Sequence, residues 1–290
     1  MTKHAYLILA HHEFELLQLL VTQLDDERND IYIHYDKKVI NLPKIIVARS
    51  KLYVLDKRVD VRWGDVSQIA SEFFLFDEAH KNGPYAYYHT LSGVDFPLKS
   101  QDEIHRFFLL HQGKEFVGFS SENNISEINR KVKKYHLFTR YFREKKRTVF
   151  LFCKIIRALS LRIQYILGME RFKNVEFKKG TSWVSVTDDF VRFLLPYYTE
   201  VTKMYRYTFC ADEIFLHTLY WNSPFKDRVF DIENEENGCM RKIGWKDGKL
   251  VDWEMKDYED LINSDKLFAR KFTVRHIQVV SRISDRINSK

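Results

Sequence analysis

The feature that most constrains this fold is a strand–helix–strand run at the start of the chain. Ala5-Tyr6-Leu7-Ile8-Leu9-Ala10 is a compact apolar stretch that ends in His11-His12-Glu13. Phe14, Leu16, Leu17, Leu20, Val21 and Leu24 then recur at helical spacing. Asp30 to Tyr35 reads as a second strand, with Asp36-Lys37-Lys38 just past its end, and Leu52-Tyr53-Val54-Leu55 as a short third. Strands joined through a helix must run parallel, so the pattern predicts an α/β fold around a parallel sheet. Ligands of such open sheets sit outside the carboxyl ends of the strands, which puts His11, Asp36 and the Arg62-Trp63-Gly64-Asp65 segment on one rim.

Further along, Trp63-Gly64 opens an amphipathic helix from Ser67 to His80, which Asn82-Gly83-Pro84 ends. Tyr85 to Gly93 is a strand, and Val94-Asp95-Phe96-Pro97-Leu98 turns away from it. Asp95 is either a turn-former bonded to its own backbone or a ligand-facing group. Thr181 to Thr187 reads as an alternating strand, followed by a helix from Asp188 to Leu195 closed by Pro196. Arg241 to Gly248 reads as a short strand with a turn, and Leu267 to Phe272 precedes a basic terminal helix. With no repeat and no linker, residues 1–290 make one domain.

A 290-residue chain with 45% hydrophobic residues can bury a sizeable core. Its net charge of +7 attracts anions, whether nucleic acid, an anionic bilayer or phosphorylated small molecules. The charge concentrates between Asn129 and Lys179, where Lys131, Lys133, Lys134, Arg140, Arg143, Lys145, Lys146 and Arg147 alternate with Phe138, Tyr141, Phe142, Phe150 and Phe152. That segment is either a basic amphipathic surface for an anionic membrane or phosphorylated acceptor, or a solvated helical face with aromatics packed beneath. No nucleic-acid module accompanies it. Cys153, Cys210 and Cys239 are odd in number and far apart, which predicts thiols in a reducing compartment rather than disulfides or a zinc site. The stretch Ala5–Ala10 is too short for a signal peptide, and the longest stretch without Lys, Arg, Asp or Glu, Asn82 to Val94, is polar within. Both predict a cytoplasmic protein, at most peripheral on the inner membrane face.

Asp212-Glu213 precedes the apolar run Ile214, Phe215, Leu216 and Leu219. A carboxylate in the first turn of a helix is placed to act as a general base, or it merely complements the helix dipole.

Taken in order, several segments resemble the core-2/I-branching N-acetylglucosaminyltransferase and peptide O-xylosyltransferase family. They are Tyr32 to Lys38, Trp63-Gly64, Leu91-Ser92-Gly93-Val94-Asp95-Phe96-Pro97-Leu98, Gly180-Thr181-Ser182-Trp183, Ala211-Asp212-Glu213 with Asn222-Ser223-Pro224, Arg241 to Trp245, and Phe268 to Phe272. The resemblance implies a GT-A type fold: a mixed central sheet with a Rossmann-like nucleotide half, here residues 1–100, and an acceptor half, 101–290. It implies transfer of a sugar (N-acetylglucosamine, xylose or another hexose) from a UDP-sugar to a glycan hydroxyl with inversion. Glu213 matches the general base, while Arg241 and Lys271 match the basic pair that stabilises the leaving diphosphate, with Arg270 competing for the second place. His11, Asp36, Trp63 and Gly64 fall on the nucleotide side, Asp95 and Trp183 on the sugar and acceptor side. His11 as a structural residue at a helix start, and Trp183 as a core residue, remain open alternatives. The chain has no Asp-x-Asp, so no metal and no other cofactor is expected.

Ser182 stands where the xylosyltransferase branch has an aspartate, which leaves the acceptor open. A bacterial member acting on a lipid-linked or other surface-polysaccharide acceptor is the expectation, with peripheral contact to an anionic membrane and no nucleic-acid partner. The competing class is a non-catalytic protein whose 129–179 segment binds an anionic membrane or nucleic acid. A nucleotide-sugar hydrolase is a further alternative.

Overall fold

The computed structural model describes residues 3–120, 125–246 and 249–289. Strand β1 (His4–Ala10) is followed by α1 (Phe14–Leu24), β2 (Asn29–Tyr35), β3 (Lys51–Val54), α2 (Ser67–Asn82) and β4 (Tyr87–Ser92). Side chains of β1 alternate as a strand requires. Tyr6, Ile8 and Ala10 join Leu16, Leu17, Leu20 and Val21 of α1 in one core, while Ala5 and Leu7 join Ile69, Phe73 and Phe76 of α2 in a second. A sheet covered by helices on both faces results, and β2 is buried along its whole length, as a central parallel strand should be.

The sheet order is β3-β2-β1-β4-β6, where β6 is Ser185–Thr187. The first four strands are parallel, and only β6 runs antiparallel, against β4. The connection reverses direction between β1 and β4, so the crevice for a ligand opens where Ala10-His11 and Ser92-Gly93 leave the sheet. This is the Rossmann-like half expected within a mixed α/β fold.

Between these lie β5 (Asp95–Pro97), α3 (Gln101–Leu110), α4 (Ile125–Val132) and the 20-residue α5 (Arg147–Ile166). After β6 come α6 (Asp188–Leu194), α7 (Tyr198–Tyr205), α8 (Phe215–Trp221), α9 (Glu235–Cys239) and β7 (Arg241–Ile243). The chain ends with β8 (Trp245–Lys246), β9 (Lys249–Leu250), α10 (Tyr258–Ile262), β10 (Phe268–Arg270) and α11 (Ile277–Asn288). A second sheet, β5-β10-β7, joins segments from both ends of the chain.

Three expectations change. Val94–Leu98 does not simply turn away, since Asp95, Phe96 and Pro97 pair antiparallel with Arg270, Ala269 and Phe268. The strand expected from Thr181 starts only at Ser185, because the Thr90 hydroxyl takes the Val184 N–H at 2.7 Å and interrupts the ladder. Asp212 and Glu213 lie in a separate 3-10 turn, Ala211–Glu213, and not in the first turn of α8. The turn expected at Asp247-Gly248 falls outside the described residues.

Candidate active site

The backbone of the Asp212-Glu213 pair is held from two sides. Cys210 enters the turn with φ 49°, and its amide donates to the Gly64 carbonyl at 3.1 Å. From the other side, the Gly180 amide donates to the Glu213 carbonyl at 3.0 Å. Gly180 has no room for a side chain: a Cβ there would lie 1.8 Å from the Gly118 carbonyl oxygen. Gly64, at φ +75°, also lies close to its neighbour, Phe209, whose ring would be 2.5 Å from a Cβ.

Glu213 is about one-third exposed, and its Oε2 faces two ammonium groups, Lys131 at 3.0 Å and Lys179 at 3.5 Å. Glu127 bridges the same lysines at 2.8 and 3.1 Å. Burial works against the Lys131 charge, but Glu213 and Glu127 more than offset it and hold its pKa above the ordinary value. Part of the basic middle segment is therefore built into this site.

Asp212 turns inward. Its Oδ2 accepts from Gln68 Nε2 at 2.8 Å and from Ser182 Oγ at 3.3 Å, while Oδ1 is buried with no partner. Burial and then the Glu213 charge push its pKa up. Gln68 also accepts from the Gly64 amide, so the Trp63-Gly64 loop is tied to the carboxylate pair. Trp63 meets Phe209 edge-on at 5.2 Å and carries the Arg143 guanidinium over its ring at 3.8 Å.

Segment Gly180–Trp183 continues to a second wall. The Arg270 guanidinium covers the Trp183 ring at 4.1 Å and stands 3.7 Å from Asp95 Oδ1. Arg270 Nη1 is buried without a hydrogen-bond partner. Asp95 itself accepts from the Ser92 amide at 2.8 Å and the Ser92 hydroxyl at 2.7 Å, so it is both a turn-former and the partner of Arg270. Lys271 is half-exposed, pairs with Asp252 at 3.1 Å and acts on His12 electrostatically.

Arg241 lies inside the molecule, 1% exposed. Its guanidinium donates to Ser185 Oγ and the Val184 carbonyl at 2.9 Å each, and to the Cys239 carbonyl. Ser185 in turn meets His89, and His89 meets His4, in a buried polar chain behind the sheet. Burial lowers the Arg241 pKa to about 10. Its neighbour on the β10 strand, Arg270, is the guanidinium nearer the surface.

On the nucleotide rim, His11 stacks on His12 with centroids 4.0 Å apart, both exposed. Asp36 is buried at the end of β2 and accepts from Lys38, through its amide at 2.9 Å and its ammonium at 2.6 Å. Lys38 also reaches Asp60 and the Val61 carbonyl, just ahead of Arg62, and Asp36 and Lys38 act on His11 electrostatically, so the ends of β1 and β2 meet the segment that leads into Arg62–Asp65. Among the described residues, no three His, Cys, Asp or Glu side chains converge as a metal set.

Sequence reasoning did not single out Lys131, Lys179, Glu127, Gln68 or Glu235. Half-buried Glu235 is pushed up to about 7 by burial, against Lys179 and the Thr181 amide, which pull it down. Nothing in a basic run marks which two lysines face inward.

The sequence model of the Core-2/I-Branching enzyme family matches residues 4–280. Xylosyltransferase 2 of Canis lupus familiaris is 24% identical over 97% of this chain and 33% of its own length. Xylosyltransferase 1 of Rattus norvegicus is 22% identical over 86% of this chain and 30% of its own. The chain thus spans about a third of the length of these curated relatives. Among solved structures, mouse xyloside xylosyltransferase 1 in its apo form aligns over 95% of this chain and 99% of that chain, at 11% identity and a TM-score of 0.39.

Proposed function

The chain belongs to the Core-2/I-branching enzyme family, and we propose that it transfers a sugar from a UDP-sugar to a glycan hydroxyl, free or lipid-linked, with Glu213 as the general base. The observation that carries this reading is the hold on Glu213. Its backbone is clamped by Gly180, and both lysines meet it at Oε2. In this reading Oε1 is left to take the acceptor proton. As the hydroxyl loses its proton to Glu213, its oxygen attacks the anomeric carbon and UDP leaves from the opposite face, so one displacement inverts the centre without an enzyme nucleophile.

Charge that develops on the diphosphate needs preorganised donors. Arg270, with an orphaned buried Nη1, and half-exposed Lys271 suit that role, and Arg241, buried on the same face of the second sheet, adds its charge from within. In this reading no metal is needed. Trp183 keeps Arg270 flat and leaves its own edge to the sugar, while the rim at His11 and Asp36 takes the nucleoside.

Product analysis tests the reading directly. Wild-type protein is incubated in EDTA with a donor panel led by UDP-xylose, after the names of its relatives, and UDP-N-acetylglucosamine, with and without a glycan acceptor. Sugar transfer that requires acceptor and is lost in Glu213→Gln supports it. Equal UDP release without acceptor, or transfer unchanged in Glu213→Gln, overturns it.

A further inference from the structure

Helix α5 is 20 residues long, yet only Cys153 and Gln164 are buried along it. Gln164 grips the Tyr135 backbone from both ends of its amide, at 2.7 and 2.9 Å, so the helix rests on the body along one narrow line. The opposite side is apolar. Leu151, Phe152, Ile155, Leu159, Ile163 and Ile166 are 43–78% exposed. At 100° per residue they occupy an arc of about 120°, with exposed Arg162 set into it near the Leu151 edge. Such a contiguous face exceeds what soluble surfaces usually leave uncovered, and a helix with so little packing of its own needs a cover to be stable.

Chemistry beside the stripe names the cover. Lys145, Lys146, Arg147, Lys154 and Arg162 are all exposed, and no Asp or Glu occurs between Glu144 and Glu170. No described helix is long and apolar enough to cross a membrane. We propose that α5 lies in the interface of an anionic lipid bilayer, with its apolar arc among the acyl chains and its cations at the headgroups. A second copy of the chain is a poorer fit, because pairing two such faces would bring their cationic rows together. An open groove of about 410 Å³ at the C-terminal end of the helix, lined by Tyr135, Ile156, Leu159, Ile163 and Met169, extends the apolar surface.

The docking also sets the orientation of the candidate active site. The segment that carries α5 is tied to the rim by Thr139 on Asp65 at 2.6 Å and by Phe142 on Phe209 at 4.2 Å between centroids. The flanks of α5 supply Lys131 and Lys179 to Glu213. An acceptor glycan on a lipid would then meet the carboxylate at the surface where its lipid is anchored.

Flotation with vesicles tests the proposal without any substrate, so its outcome is separate from that of the transfer reaction. Full-length protein is mixed with phosphatidylcholine vesicles, with or without phosphatidylglycerol, at low and high salt. The variants are Leu159→Asn with Ile163→Asn, and Lys154→Gln with Arg162→Gln; all four side chains are exposed, and an unchanged melting temperature shows that the fold is intact. Wild type floats with the anionic vesicles, less at high salt. Each lost cation weakens binding about fivefold, and the apolar pair weakens it further. The proposal is overturned if wild type stays unbound, if both variants float like wild type, or if the protein is a dimer that the apolar pair splits while vesicles bind neither form.

Discussion

Lys131 and Glu213 are 82 residues apart in sequence, and the Lys131 ammonium donates to Glu213 Oε2 at 3.0 Å. The contact joins the basic middle of the chain to the candidate base, and Lys179 and Glu127 close it into a four-membered ion cluster. Removing the base itself, Glu213→Gln, should lower kcat about a hundred- to ten-thousandfold, as loss of a general base does. Lys131→Met should lower kcat on the order of tenfold, through loss of one charge-assisted hydrogen bond, with UDP affinity unchanged. Steady-state kinetics beside UDP calorimetry check both; a Lys131→Met enzyme with wild-type kcat would remove the lysine from the site.

Arg241 and Arg270 should separate cleanly. Arg241→Ala leaves a cavity in the core and takes a donor from the Cys239 carbonyl, the Val184 carbonyl and the Ser185 hydroxyl, so it should cost on the order of 3 kcal/mol of stability in urea unfolding. Arg270→Ala removes a guanidinium whose Nη1 has no hydrogen-bond partner. It should weaken UDP binding in calorimetry, while loss of the cation facing buried Asp95 and of the packing on Trp183 lowers the unfolding midpoint less than Arg241→Ala does.

Gly180→Ala should damage both stability and catalysis. The new Cβ meets backbone, the Gly118 carbonyl, which cannot move aside as a flexible side chain can. Overpacking of this kind costs about 1–3 kcal/mol, and the displaced Gly180 amide loses its bond to the Glu213 carbonyl. A circular-dichroism melt should show the first effect, and a fall in kcat in the surviving folded fraction the second.

Glu115 gives a stability signature that depends on pH. It is fully buried and accepts from the Thr187 amide at 2.9 Å and from the Thr187 hydroxyl, yet burial outweighs these bonds and pushes its pKa from 4.5 up to about 7. A carboxyl whose folded pKa is the higher one binds more protons in the folded state, so its stabilising contribution is present below about pH 4.5 and lost as pH rises through about 7. Relative to Glu115→Gln, the wild type should lose about 3 kcal/mol between these limits. Urea unfolding of the pair at pH 5 and pH 8 measures it; a constant difference would place the Glu115 charge outside the folding equilibrium.

Periodicity alone made the parallel half of the sheet readable. β1, α1, β2 and α2 carry alternations of two and of three or four residues that only one packing satisfies, so the rim at His11 and Asp36 followed from local pattern. The short strand at Asp95–Pro97 was not readable, since three residues carry no period and their partner Phe268–Arg270 lies far along the chain. The candidate base was legible as an Asp-Glu pair ahead of an apolar run, but its lysine partners were not, because every lysine in a basic stretch looks alike until the chain folds.

What the sequence by itself determined is the α/β architecture, the family and the residue types gathered at the cleft. Tertiary structure decided which of them face it. Arg241 and Arg270 share one face of the second sheet, since the register sets Arg241 opposite Phe268. What separates them is the contact at each end, Ser185 and the Val184 carbonyl around Arg241 and Trp183 with Asp95 around Arg270, and the pairing of β7 with β10 that places them there joins distant segments. It also left the apolar arc of α5 uncovered. Whether a stripe of Leu, Ile and Phe packs inward or faces out depends on what lies opposite it, and that is a property of the assembled fold.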